Sequence, residues 1–135
     1  MPSRSFPAWT GSVPVARGYV ADVLAGAPAD LCQTAALLVS ELATNAVRHS
    51  GAQEFVVRVE FFPGEGRVWV AVSDTGRGEP LPRTPPVTAE GGRGLQLVGT
   101  LADRWGARRR RDTGEKTVWF ELRAPTPTTA VGSAG

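Results

Sequence analysis

The sequence contains one cysteine, Cys32, one histidine, His49, and one lysine, Lys116, in 135 residues. A single cysteine excludes a disulfide framework within the chain and any multi-cysteine zinc site. With only one histidine beside it, a His/Cys metal centre has too few ligands. Carboxylates, amides and bound phosphates remain as metal-binding chemistry. No apolar run approaches the roughly 20 residues that cross a bilayer. The opening Met1-Pro2-Ser3-Arg4-Ser5-Phe6 lacks the apolar core of a signal peptide. The expectation is a cytoplasmic protein with no membrane partner.

What is present is ordinary globular material, 41% hydrophobic and 21% charged, at a length that suits one domain. The basic residues are nearly all arginine, and the net charge of +2 is local. It comes from the run Arg108-Arg109-Arg110-Arg111, without which the chain would carry −2. On a strand those four side chains alternate between faces. Nucleic-acid backbone binding uses more contacts than such a face supplies. A solvated edge or an acidic protein surface suits the run better, and no direct nucleic-acid partner is expected.

Hydrophobic periodicity divides the chain into elements. Residues 5–10 can add an edge strand, limited by Pro7. Ser12 reads as a helix cap with Pro14 in the first turn, and Gly26 as the stop. Asp30 caps a second helix running to about residue 50, with Gly51 as its C-terminal signal. The period then becomes two. Residues 54–62 and 67–73 read as a hairpin about Pro63-Gly64-Glu65-Gly66. The connection from Asp74 to Gly92 is long and rich in glycine and proline, which is uncommon unless functional or mobile. A helix from about 94 to 105 and strands at 107–111 and 116–123 complete a domain of residues 1–123. The remainder, 124–135, is Pro/Thr/Ala/Gly-rich and reads as a disordered tail. Runs of helices beside runs of strands predict an α+β fold: a two-layer sandwich of a mixed, mostly antiparallel sheet with about three helices on one face. Trp9, Trp69, Trp105 and Trp119 are large aromatic surfaces available to an interface, and core packing explains Trp69 and Trp119 equally well, since both alternate with valine on strands.

Three clusters carry candidate chemistry. On the second helix, Thr34, Glu41, Thr44, Asn45 and Arg48 gather opposite the apolar set. They form either a solvated face or a site. Glu41 and Asn45 are four apart and project together. An amide oxygen suits Mg²⁺, which takes its other ligands from water and phosphate. A carboxylate one turn away can accept the proton of a hydroxyl attacking a phosphate. His49 can touch phosphate, or serve only as a cation at the helix end. The second cluster, Asp74-Thr75-Gly76-Arg77-Gly78, is an ordinary strand-ending turn or a base-binding one. A carboxylate there can accept from an exocyclic amine, while Gly76 and Gly78 allow close backbone approach. The third, Gly91-Gly92-Arg93-Gly94-Leu95, opens a helix, where free N–H groups favour an anion. It matches neither the Walker nor the dinucleotide pattern.

Taken together and in this order, Glu-x-x-x-Asn, a strand-borne DxGxG, a loop and a GRGL helix start resemble the nucleotide-binding boxes of the GHKL, or Bergerat-fold, ATPases. That superfamily includes gyrase, the ninety-kilodalton heat-shock chaperones, histidine kinases and mismatch-repair ATPases. More narrowly, SELATNAVRHSG, DTGRGEPLP, GGRGLQLVGTLADRWG and KTVWFEL resemble bacterial anti-sigma-factor serine/threonine kinases. The resemblance implies ATP and Mg²⁺ as cofactors, with Asn45 on the metal, Glu41 as general base and Asp74 on adenine. It implies that Gly76 and Gly78 shape the pocket, and that Gly92, Arg93, Gly94 and Leu95 close over phosphate. His49 belongs to the first box, and Thr117 is implied to support Asp74 through water. The segment 79–91 would be an ATP lid. The length leaves no room for a phosphoacceptor or transducer domain, so a free-standing domain acting on other proteins is expected. The implied partners are an anti-sigma-factor antagonist and a sigma factor, and the implied assembly is a homodimer. The alternative is a catalytically inactive, nucleotide-sensing binding module.

Overall fold

The computed structural model describes residues 2–49, 51–75 and 90–125; for His49 and residues 90–95 it describes the backbone. The elements are β1 (Ser3–Pro7), α1 (Ser12–Val23), α2 (Ala29–His49), β2 (Glu54–Phe62), β3 (Arg67–Asp74), α3 (Glu90–Leu101), β4 (Arg104–Arg109) and β5 (Lys116–Arg123). They build one five-stranded sheet in the order β1-β2-β3-β5-β4, with every ladder antiparallel. The α+β sandwich is as expected, and its sheet is wholly antiparallel among the described residues.

Period-two alternation decides which side chains meet the helices. Phe55, Val57 and Val59 of β2, Val68, Val70 and Val72 of β3, and Val118, Phe120 and Leu122 of β5 are buried on that face. Against them α2 lays Leu31, Ala35, Leu38, Val39, Leu42, Ala43 and Ala46, at helical spacing. Each larger apolar side chain so buried contributes about 1.5–3 kcal/mol over leaving it in water. Helix α1 adds Ala16, Val20 and Leu24. Phe6 stacks on Phe55 and meets Tyr19 edge-on, joining β1, β2 and α1.

The termini of several elements differ from the sequence reading. Strand β1 lies at Ser3–Pro7, because Trp9 N–H turns back to the Pro7 carbonyl. Gly11, not Ser12, is the cap of α1, and it offers no side chain; Ser12 is buried inside the helix. That helix ends at Val23, before Gly26, with the N–H of Leu24 closing on Val20. Gly51 does follow α2 with φ +74°, a left-handed conformation natural to glycine.

Helix α3 and strand β4 both begin three to four residues earlier than their pattern indicates. Trp105 lies in β4, opposite Phe120, and Arg110 and Arg111 fall in the turn beyond the strand. Arg110 grips Asp112 through two hydrogen bonds of 3.1 and 2.9 Å, which hold that carboxyl below its ordinary range. The arginine run is therefore split between an edge strand and a turn.

Trp69 and Trp119 lie on the sheet face away from the helices, half-buried, because their neighbours Val68, Val70, Val118 and Phe120 take the inward positions. Glu121 is buried on that outer face, 2.7 Å from Arg123 and 3.6 Å from Arg67. The hydrogen bond to Glu121 raises the pKa of the Arg123 guanidinium. Trp119 lies across Gly106, where an added Cβ would stand 2.7 Å from the indole nitrogen. Replacing Gly106 by alanine forces the ring off the strand. The expected cost is about 1–3 kcal/mol, read as a lower urea midpoint at unchanged slope.

Candidate functional site

Strand β3 ends in a carboxylate. Its even-numbered positions face the helices, so Asp74 continues the row Val68, Val70 and Val72 to the end of the strand. Asp74 is only 6% exposed. Across the ladder its partner is Lys116, the first residue of β5. From the helix layer Asn45 comes down on the same place. Asn45, Asp74 and Lys116 line a cavity of about 50 Å³ whose walls are Leu42, Ala46, Val72 and Val118. A water's share of liquid volume is about 30 Å³, so a hollow of this size has room for one or two waters or the edge of a ring, not a whole ring.

One turn back along α2, about 6 Å on the axis, Glu41 faces a second and wider cleft. It measures about 550 Å³ and is lined also by Gln96, Leu97 and Thr100 of α3. Glu41 is half-buried and, among the described residues, its side chain has neither a hydrogen bond nor an ion pair. The neighbouring hydroxyls are spent within the helix layer. Thr44 Oγ1 donates to the Ser40 carbonyl at 2.7 Å, and Ser40 Oγ donates to the Ala36 carbonyl at 3.0 Å. Arg17 of α1 donates to Ser40 Oγ at 3.1 Å, tying α1 to α2 just before Glu41. Of the polar set on α2, Thr34, Glu41, Thr44 and Asn45 are half-buried and Arg48 alone is exposed. The face is therefore not simply solvated.

The structure thus brings Asn45 and Asp74 together and sets Glu41 one turn away. Gly92, Arg93, Gly94 and Leu95 fall in the first turns of α3. Their side chains, that of His49, and Gly76 and Gly78 lie outside the described residues, as does most of the lid segment 79–91. Thr117 is not brought to Asp74. It sits on the opposite face of the sheet, hydroxyl to hydroxyl with Ser73 at 2.8 Å. The position facing Asp74 on the pocket side is Lys116, which the sequence reading passed over. Its signal was the alternation Lys116, Val118, Phe120, Leu122, which puts the lysine in the inward row.

A sequence model of the histidine kinase-like ATPase domain matches residues 6–122. The chain belongs to that family. This histidine kinase-like ATPase domain is a GHKL-type ATP-binding domain, and its fold is shared with solved structures. One is the Erythrobacter litoralis EL346 blue-light activated histidine kinase, at 25% identity and a TM-score of 0.54, covering 78% of this chain and 34% of that one. Another, the histidine kinase domain from the same protein, has 22% identity and a TM-score of 0.51, covering 96% and 67%. The chain thus spans about a third of the first protein's length. No match was found among curated proteins. Among the described residues no helix is long and apolar enough to cross a membrane.

The family implies a magnesium ion. Among the described residues no group of three His, Cys, Asp or Glu side chains could cage a metal. Asn45 in its half-buried position fits a different arrangement, in which one amide oxygen joins phosphate and water oxygens around the ion.

Proposed function

We propose that this ATP-binding domain is a cytoplasmic serine/threonine protein kinase of the anti-sigma-factor type. Its substrate would be a hydroxyl on a small antagonist protein, and a sigma factor would be its second partner. The observation that carries the reading is the placement of Glu41, half-buried and unpaired among the described residues, on a cleft one turn from Asn45 and Asp74. Asp74 accepts from the exocyclic amine of adenine, which fixes the base. Asn45 would hold the ion through its amide oxygen, and the ion would supply positive charge to the phosphates. Glu41 takes the proton of the serine or threonine hydroxyl as its oxygen attacks the γ-phosphorus. The bond from that phosphorus to the β–γ bridging oxygen breaks, and ADP leaves.

A second reading, a nucleotide-sensing module that binds partners without transfer, is favoured by one feature: Glu41 and Asn45 open onto different hollows. Incubating the protein with γ-labelled ATP, magnesium and candidate antagonist proteins separates the two. Label on a partner serine or threonine is expected. ATP binding with no labelled partner selects the module. A homodimer, also proposed from the family likeness, is read independently as twice the monomer mass in solution.

A further inference from the structure

We infer that Lys116 is a second reader of the base, donating to a purine ring nitrogen beside the amine that Asp74 accepts. This rests on the adenine-nucleotide reading of the pocket. Lys116 and Asp74 are directly opposed in the β3–β5 ladder and on the same face. Opposed Cβ atoms stand about 5 Å apart, so both side chains leave the sheet together. They line one cavity with Asn45, and its remaining walls are apolar.

Lys116 is half-buried, and among the described residues its ammonium makes no hydrogen bond or ion pair. A half-buried ammonium with three donors and no partner is satisfied by an incoming acceptor. It is also the one lysine in a chain whose other basic residues are fourteen arginines. A compact ammonium on a flexible stem can meet a single ring nitrogen at the edge of a purine, whereas a guanidinium fork presents paired donors. In adenine the exocyclic amine is flanked by two ring acceptors, N1 and N7. A carboxylate beside an ammonium complements that donor–acceptor edge. Asp74 alone would recognise only the amine.

The test compares ATP, 1-deaza-ATP and 7-deaza-ATP by calorimetry on the wild type, Lys116→Met and Lys116→Arg. In the wild type one deaza analogue is expected to bind about ten- to a hundredfold more weakly than ATP, the range for a hydrogen bond to a charged group. In Lys116→Met, ATP is expected to weaken by a similar factor, with the same analogue no weaker than ATP. Lys116→Arg should keep part of the discrimination. If the wild type binds all three nucleotides equally, or Lys116→Met discriminates as the wild type does, the inference falls. The wild-type comparison needs no variant, so a misfolded mutant cannot hide the answer. Failure of the wild type to bind ATP at all would instead remove the nucleotide reading beneath it.

Discussion

Replacing Glu41 by glutamine is expected to slow γ-phosphoryl transfer by about 10²–10⁴-fold, while ATP affinity stays nearly unchanged. The two halves of that result have separate causes. Glutamine is nearly isosteric with glutamate, so α2 and its packing through Leu38, Leu42 and Ala46 are undisturbed. What would disappear is the acceptor proposed for the hydroxyl proton. The affinity half follows from position: Glu41 faces the cleft with Gln96, Leu97 and Thr100, not the cavity of Asp74. Single-turnover transfer at saturating ATP, beside calorimetry of nucleotide binding, reads both. A variant that transfers at the wild-type rate takes Glu41 out of the chemistry. One that loses ATP binding makes it a binding residue.

The elements that carry these residues differ in how far the sequence disclosed them. Strands β2 and β5 match their alternation to the residue, because glycine or turn residues bound each one and inward valines and phenylalanines leave one register possible. The Glu41–Asn45 pair was equally legible, since four residues of helix fix its geometry whatever surrounds it. Helix α3 was not. Glycine costs about 1 kcal/mol against alanine within a helix, so local preference starts that helix after Gly92. The helix nonetheless begins at Glu90, and farther along it Val98 is fully buried. That shift carries β4 with it and brings Trp105 opposite Phe120. The exchange of Thr117 for Lys116 has a different origin. Alternation puts Lys116 in the inward row and Thr117 on the other face, but only the register of β5 on β3 sets the lysine directly opposite Asp74. Register belongs to the pairing of distant segments, and single-strand patterns do not contain it.

Asp74→Asn tests the other end of the site, and there the expected loss is in binding. The carboxylate at the end of β3 is nearly buried, in a cavity with apolar walls. A hydrogen bond from an amine to such a carboxylate outweighs one to a neutral amide, because charge strengthens it and little water competes. Losing it is expected to weaken ATP by about ten- to a hundredfold. The change should be far smaller for a purine nucleotide lacking the amine, which gives Asp74 nothing to accept. Comparing ATP with purine riboside triphosphate on both proteins therefore isolates the contact from any general damage to the pocket. Equal weakening of the two nucleotides would mean that Asp74 supports the fold of the site rather than reading the base. No change in either would move adenine away from β3 and dissolve the link between Asp74 and Asn45. The third case, loss for ATP alone, leaves transfer at saturating nucleotide close to wild type, because Glu41 stands in a different cleft. Asp74 and Glu41 would then separate as one residue that selects the nucleotide and another that uses it.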